Sequence, residues 1–227
     1  VSYILHLETS TKVCSIALSK DGSCRDFITE SSDDFVHSER LNVLIMELFE
    51  RNQLALSELS AVSVSSGPGS YTGLRIGVST AKGLCYALSI PLIAIDSLSA
   101  LAYLLKNKVD NQRELILSMI DARRMEAYTA IFDSDLYMLK SVSADIFDAH
   151  YLSEISENIN VRLVGDAQEK CKDLWKDRKN FHFTNITADA RGQIEPAFQK
   201  FKNQAFADLV YFEPQYFKDF QPGVKAK

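Results

Sequence analysis

The stretch Ser65-Ser66-Gly67-Pro68-Gly69-Ser70-Tyr71-Thr72-Gly73-Leu74-Arg75-Ile76-Gly77-Val78-Ser79-Thr80-Ala81-Lys82-Gly83-Leu84-Cys85-Tyr86-Ala87-Leu88 decides how this chain folds. It begins at the end of an apolar strand, Ala61-Val62-Ser63-Val64. It turns through Gly-Pro-Gly and continues as a helix toward a second apolar strand, Pro91-Leu92-Ile93-Ala94-Ile95. Gly and Pro punctuate the turn because they supply backbone angles that other residues avoid. Ser70 or Thr72 can cap the helix by accepting a bond from an orphan N–H. In the helix from Thr72 to Leu88 the only charges are Arg75 and Lys82, so most of its circumference requires burial. Gly73, Gly77 and Ala81 recur every fourth residue and form one row where another backbone can come close. A helix-interior Gly costs about 1 kcal/mol relative to Ala, so the row implies a packing partner, in this chain or in another. A strand, a Gly-rich loop and a helix N-terminus also make an anion site. No Gly-Lys-Ser/Thr follows, however, and the spacing is not G-x-G-x-x-G, so the residues alone favour a plain tight turn.

The two strands around this helix make a βαβ unit, with parallel strands and a right-handed crossover. Before it come strands at Tyr3–Leu7 and Val13–Leu18, then a third near Ser23–Thr29 after the hairpin signal Asp21-Gly22. A loop spans 31–36. A helix is expected over Ser38–Asn52, with Leu41, Leu44, Ile45, Leu48 and Phe49 as its core stripe. Val43 and Met46 fall on the other side, among Asn42, Glu47 and Glu50. They are either ordinary surface apolars or a second packing surface. After Ile95, Asp96 or Ser97 caps a short helix from Ser99 to Leu105. The polar run Lys106–Glu114 then divides the chain into 1–105 and 106–227.

The second half repeats the opening of the first. Leu115–Ile120, Met125–Phe132 and Leu136–Val142 form a second three-stranded meander. Glu8 and Asp121 are expected at equivalent places at the ends of the two first strands, and Ala17 and Ala130 in the two second strands. This duplication points to an α/β architecture of two related subdomains. Helices are expected near Ala149–Asn158 and Gln168–Lys176, and strands at Val161–Val164 and Phe181–Asn185. Thr187 is the expected cap of a last amphipathic helix, with Ile194, Ala197, Phe198 and Phe201 on one face and Pro196 starting or kinking it. That helix can pack back on the first subdomain. A mobile tail is expected from Gln221 to Lys227.

The chain has 227 residues, a net charge of -5 and only four cysteines. That length supports real cores. The acidic balance removes the broad basic field of a protein that grips nucleic acid by itself. Cys14, Cys24, Cys85 and Cys171 form no C-x-x-C pair. His6, His37, His150 and His182 form no H-x-x-x-H or H-E-x-x-H, so no metal site is expected. Free thiols and the lack of a signal-peptide pattern point to a reducing cytoplasm. No apolar run is long enough to span a membrane.

The run Gly67 to Gly77 followed by Ala81-Lys82-Gly83-Leu84 closely resembles the signature of the TsaB (YeaZ) family of bacterial tRNA threonylcarbamoyladenosine biosynthesis. Supporting stretches are Glu8-Thr9-Ser10-Thr11, His37-Ser38-Glu39-Arg40-Leu41, Asp121-Ala122-Arg123-Arg124 and Glu213-Pro214-Gln215-Tyr216. The resemblance spans nearly the whole chain, strongly at the centre and weakly in the C-terminal half. It implies the actin/Hsp70/sugar-kinase (ASKHA) fold. It implies a non-catalytic subunit that pairs with the catalytic TsaD through the two helices at Ser38–Asn52 and Thr72–Leu88 and is joined by the ATPase TsaE. TsaD carries H-x-x-x-H where this chain has Ser97 and Leu101, neither of which replaces a metal-bound imidazole. The implied partner surface is Val43, Met46, Glu50, Gly73, Gly77 and Ala81. The implied vestigial nucleotide or phosphate site is Glu8, Thr9, Ser10, Gly67, Gly69 and Arg75. The family often has Asp where Glu8 stands, so a turn-stabilising role for Glu8 is preferred. No tightly bound cofactor is expected, at most weak ATP–magnesium at a site shared with partners. Self-association as a homodimer is expected when the partner is missing, with tRNA reached mainly through the complex. Two other readings remain: an ATP-dependent phosphotransferase using Glu8 and the Gly67–Gly73 loop, and, less favoured for want of metal ligands, a metallopeptidase-like hydrolase.

Overall fold

A computed structural model describes residues 1–31, 37–106 and 114–218. The first half runs β1 (Tyr3–Glu8), β2 (Val13–Lys20), β3 (Ser23–Ser31), α1 (His37–Asn52), β4 (Leu59–Ser65), α2 (Tyr71–Leu88), β5 (Leu92–Ile95) and α3 (Ser97–Tyr103). The second runs β6 (Glu114–Asp121), β7 (Glu126–Phe132), β8 (Met138–Ile146), β9 (Asn160–Val164), β10 (Phe181–Phe183) and α4 (Ile194–Lys202). The strands form two five-stranded sheets, ordered β3-β2-β1-β4-β5 and β8-β7-β6-β9-β10. In both, the first three strands are antiparallel and the last two join in parallel, so the duplication read in the meanders extends to whole sheets. Of the expected loop 31–36, Ser31 belongs to β3, and of the dividing run 106–114, Glu114 opens β6; residues 32–36, 107–113 and the tail from Gln221 lie outside the described residues.

One face of the first sheet is covered by α1 and α2. Leu41, Leu44, Leu48 and Phe49 of α1, with Val78 and Cys85 of α2, pack on Leu5, Leu7, Ile16 and Val62. Charges on the edge strand fasten α1 in place: Arg40 pairs with Glu30 at 2.5 Å and Arg51 with Asp26 at 3.0 Å. The last helix of each half crosses to the other sheet. Leu98 and Leu101 of α3 pack on Ile116, Ile120 and Ala130 of the second sheet. Ala197 of α4, with Phe198 and Phe201, packs on Ile4, Ile93 and Ile95 of the first.

The second half departs from expectation in three places. Residues 149–158 and 168–176 form turns and one 3-10 stretch, Asp166–Cys171, where helices were expected. Their place over the sheet is taken by aromatic rings. Trp175 is fully buried and lies 5.0 Å from Phe147, 5.6 Å from Tyr151 and 5.4 Å from Phe181 by ring centroid. Bulky side chains fill that volume without a helix, and packing overrides propensity. Asp189, not Thr187, caps the turn before α4 by accepting from the Arg191 N–H. Pro196 falls in the first turn of α4, where its missing N–H is tolerated.

The third departure is one of register. Ala17 pairs with His6, and Ala130 pairs with Ser118. With the two alanines equivalent, Glu8 corresponds to Ile120, and Asp121 to Thr9. Successive strand residues face opposite ways, so this one-residue offset sends the two acids to opposite faces. Glu8 shares its face with Ile4, under α4. Asp121 shares its face with Leu117 and Met119, which pack with Trp175. The two carboxylates keep one feature in common, each accepting the N–H two residues on: Ser10 N–H at 2.7 Å and Arg123 N–H at 2.7 Å.

Candidate functional site

Glu8 ends β1 and is almost fully buried. Its carboxylate accepts from the Ser10 N–H and from the Ser65 hydroxyl at the end of β4. Gln193, on the turn that leads into α4, completes the cluster. Its amide donates to the Leu7 carbonyl at 2.8 Å and to Ser65 Oγ at 2.9 Å, and its carbonyl accepts from Ser63 Oγ at 2.6 Å. Burial raises the pKa of Glu8, and these hydrogen bonds partly offset the shift. These bonds join the end of β1 to β4 and to the turn before α4.

The Gly-rich loop is likewise filled from within. Ser70 caps α2 by accepting the Gly73 N–H at 3.2 Å. A Cβ on Gly69 would collide with the Ser10 carbonyl, one on Gly73 with the Thr9 carbonyl, and one on Gly77 with the Thr9 hydroxyl. Ala81 is fully buried in the first core. The small-residue row therefore serves the β1–β2 turn of its own chain. This corrects the expectation that Gly73, Gly77 and Ala81 lie on a partner surface: close approach was needed, and Thr9 makes it. On the far side of the loop, Gln215 donates its N–H to the Ser66 carbonyl at 2.7 Å and sets its own carbonyl where a Gly67 side chain would be. Arg75 stands over the Tyr71 ring at 4.1 Å and donates to the Tyr216 hydroxyl at 3.2 Å. Glu8, Thr9, Ser10, Gly67 and Gly69 do converge, with Gln193 against Glu8 and the Gln215 carbonyl against Gly67. Among the described residues, the hydroxyls of Thr9, Ser10 and, beside Gly67, Ser97 are buried there without a partner.

The outer side of α1 and α2 is a different surface. Val43 is 49 % exposed and Met46 61 %, with Glu50 on the same side. On α2 the exposed stripe ends in Tyr86, 81 % exposed. Tyr86 escaped the sequence reading, although its spacing from Arg75, Ser79 and Lys82 marks the solvent stripe of a helix. Gln193 carried no such signal, and the stretch 213–216 gave none for the contact Gln215 makes, since each acts on residues more than a hundred positions away. Ser97 and Leu101 are both buried, Leu101 in the core between α3 and β6. Among the described residues no three His, Cys, Asp or Glu side chains gather to hold a metal ion, and no helix is long and apolar enough to cross a membrane.

Comparison with known proteins completes the picture. A family model described as "TsaD: tRNA N6-adenosine threonylcarbamoyltransferase" matches residues 35–226. The Escherichia coli tRNA threonylcarbamoyladenosine biosynthesis protein TsaB is 31% identical over 58% of this chain and 55% of its own length. The chain thus spans about half the length of that relative. Among solved structures, YeaZ from Pseudomonas aeruginosa superposes with a TM-score of 0.76 at 22% identity, covering 95% of this chain and 100% of that one. An activator of 2-hydroxyisocaproyl-CoA dehydratase from Clostridium difficile, solved with bound ADPNP, superposes at 0.54 with 13% identity, covering 89% and 97%. The fold is the duplicated α/β ASKHA fold, and the chain belongs to the TsaD family, in its TsaB (YeaZ) branch.

Proposed function

We propose that this chain is a non-catalytic scaffold and activator in bacterial tRNA N6-threonylcarbamoyladenosine synthesis. In this reading it docks a TsaD-type catalytic subunit on the outer surface of α1 and α2. A TsaE-type ATPase joins the pair, tRNA is reached mainly through the assembly, and the chain pairs with itself when alone. The observation that carries the reading is the exposed apolar set Val43, Met46 and Tyr86 on a chain whose Glu8 and Gly-rich loop are occupied by its own side chains and backbone. Exposed apolar side chains grouped on adjacent helices favour a protein partner. In this reading no nucleotide is bound tightly, and at most weak ATP–magnesium binds at a site that partners complete.

The test is light scattering of the chain alone and mixed with a TsaD-type subunit. The wild type exchanges a homodimer for a heterodimer. The Val43→Glu protein, folded by circular dichroism, gives no heterodimer because a buried unpaired carboxylate is costly. A wild-type chain that stays unchanged on mixing, or a Val43→Glu chain that pairs as well as wild type, overturns the reading.

A further inference from the structure

α1 lies between β3 and β4. The equivalent segment of the second half, residues 147–159 between β8 and β9, forms turns. With Ala17 and Ala130 equivalent, Cys14, Ile16 and Leu18 of β2 correspond to Ala127, Thr129 and Ile131 of β7. The first three share a core with α1. On the edge strands, Glu30 stands opposite Cys14 and Asp145 opposite Ala127. Asp145 thus holds the place from which Glu30 anchors Arg40 of α1. The turns cover this face only in part. What stays open is a groove of about 720 Å³ lined by Leu115, Ile131, Leu139, Ile146, Leu152 and Ile155. Leu139 and Ile146, on its outer edge, are exposed. On its floor Asp145 accepts from Lys140, from the Thr129 hydroxyl at 2.5 Å and from the Tyr151 hydroxyl at 2.6 Å. Lys140 is the one cation among the lining residues, and Asp145 neutralises it. The segment 147–159 carries Asp148, Glu154 and Glu157, all exposed, and no Lys or Arg.

We propose that this groove receives an amphipathic helix of a partner protein, with an aliphatic stripe on Ile131, Leu139 and Ile146 and with Lys or Arg on its flanks. An apolar groove on a sheet face takes the apolar side of a helix, as the first sheet takes α1. The acidic rim selects a basic partner and repels an acidic one. A second copy of this chain fits less well. The exposed face of its α1 carries Glu47 and Glu50 beside Val43 and Met46, so like charges would meet. A strand added to the sheet edge is disfavoured because the pairing of β8 with β7 is interrupted twice. The proposal does not rest on the docking reading above, which concerns α1 and α2.

The test uses the full chain and two labelled helical peptides without tryptophan, each as long as α1. Both have leucines at the spacing of Leu41, Leu44 and Leu48; one has lysines on its flanks, the other glutamates. Trp175, the only tryptophan, stacks at 5.6 Å on Tyr151 of the groove wall and reports on it. The basic peptide gains anisotropy and shifts the Trp175 emission, and the acidic peptide does neither. Ile146→Ser, at an exposed position and without change of net charge, weakens binding about tenfold or more, the factor for one aliphatic side chain lost from a contact. Met46→Ser on α1 leaves it unchanged. No binding, equal binding of the two peptides, equal binding by Ile146→Ser, or loss in Met46→Ser overturns the proposal. Light scattering without peptide covers the remaining occupant. A dimer lost in Ile146→Ser and kept in Met46→Ser would put a second copy in the groove and overturn the proposal as well.

Discussion

Glu8 shows how a single carboxylate can be read as chemistry or as structure. Its acceptors are satisfied by Ser10, Ser65 and Gln193, so its task is to join β1, β4 and the turn before α4. Removing one partner of a buried polar cluster leaves the others unsatisfied, at about 1–3 kcal/mol each. Glu8→Ala is therefore expected to lower urea stability by about 2–4 kcal/mol, with little change in binding of a TsaD-type subunit by the protein that remains folded. His6, on the same face, is fully buried with Nε2 against Ser19 Oγ at 2.8 Å. Burial lowers its pKa to about 3 from 6.5. A folded pKa below the unfolded one means that the unfolded chain binds the extra proton. The contribution of His6 is complete above pH 6.5 and is lost as pH falls toward 3. Denaturation series from pH 6.5 to 4.5 should give His6→Gln a shallower acid dependence than wild type, by up to about 1.4 kcal/mol per pH unit. Equal slopes would mean that His6 does not titrate with unfolding.

At the scale of elements, α2 is held by contacts that tolerate no added volume. Gly77→Val puts two methyl groups into the Thr9 hydroxyl and should destabilise by more than the roughly 1–3 kcal/mol usual for overpacking, because the obstacle stands on a tight turn. Gly83, on the same helix, meets nothing within 4 Å. Gly83→Ala should therefore stabilise the helix by about 0.5–1 kcal/mol. Thermal melts of the two variants check the sign of each, and a stabilised Gly77→Val would refute the inward packing of the row. In α1 the exposed Val43 and Met46 make few internal contacts, so Met46→Ser should leave the melting temperature nearly unchanged while weakening the heterodimer.

At the scale of the whole molecule, the two halves share strand order yet differ in what covers one face of each sheet: α1 and α2 over the first, aromatic rings over the second. Trp175→Ala empties the centre of the second cover and should cost about 3–5 kcal/mol. Loss of the near-ultraviolet aromatic signal with α1 and α2 still formed would place the damage in the second half.

The sequence by itself determined the local elements and their duplication. Asp21-Gly22, the Gly-Pro-Gly loop, the stripe of Leu41 to Phe49 and the repeated meander are nearest-neighbour signals, set by turn geometry and by hydrophobic period. It also carried the family, in one long motif whose residues stand close together. What only the tertiary structure decided depends on groups far apart in the chain. Gln193 reaches Glu8, Gln215 reaches Ser66, and Thr9 fills the small-residue row of α2. The face on which Asp121 lies depends on a one-residue offset between the halves that no local pattern records. The helices missing from the second half followed the same rule: propensity favours a local conformation weakly, and the volume already filled by Trp175 and its neighbours outweighs it.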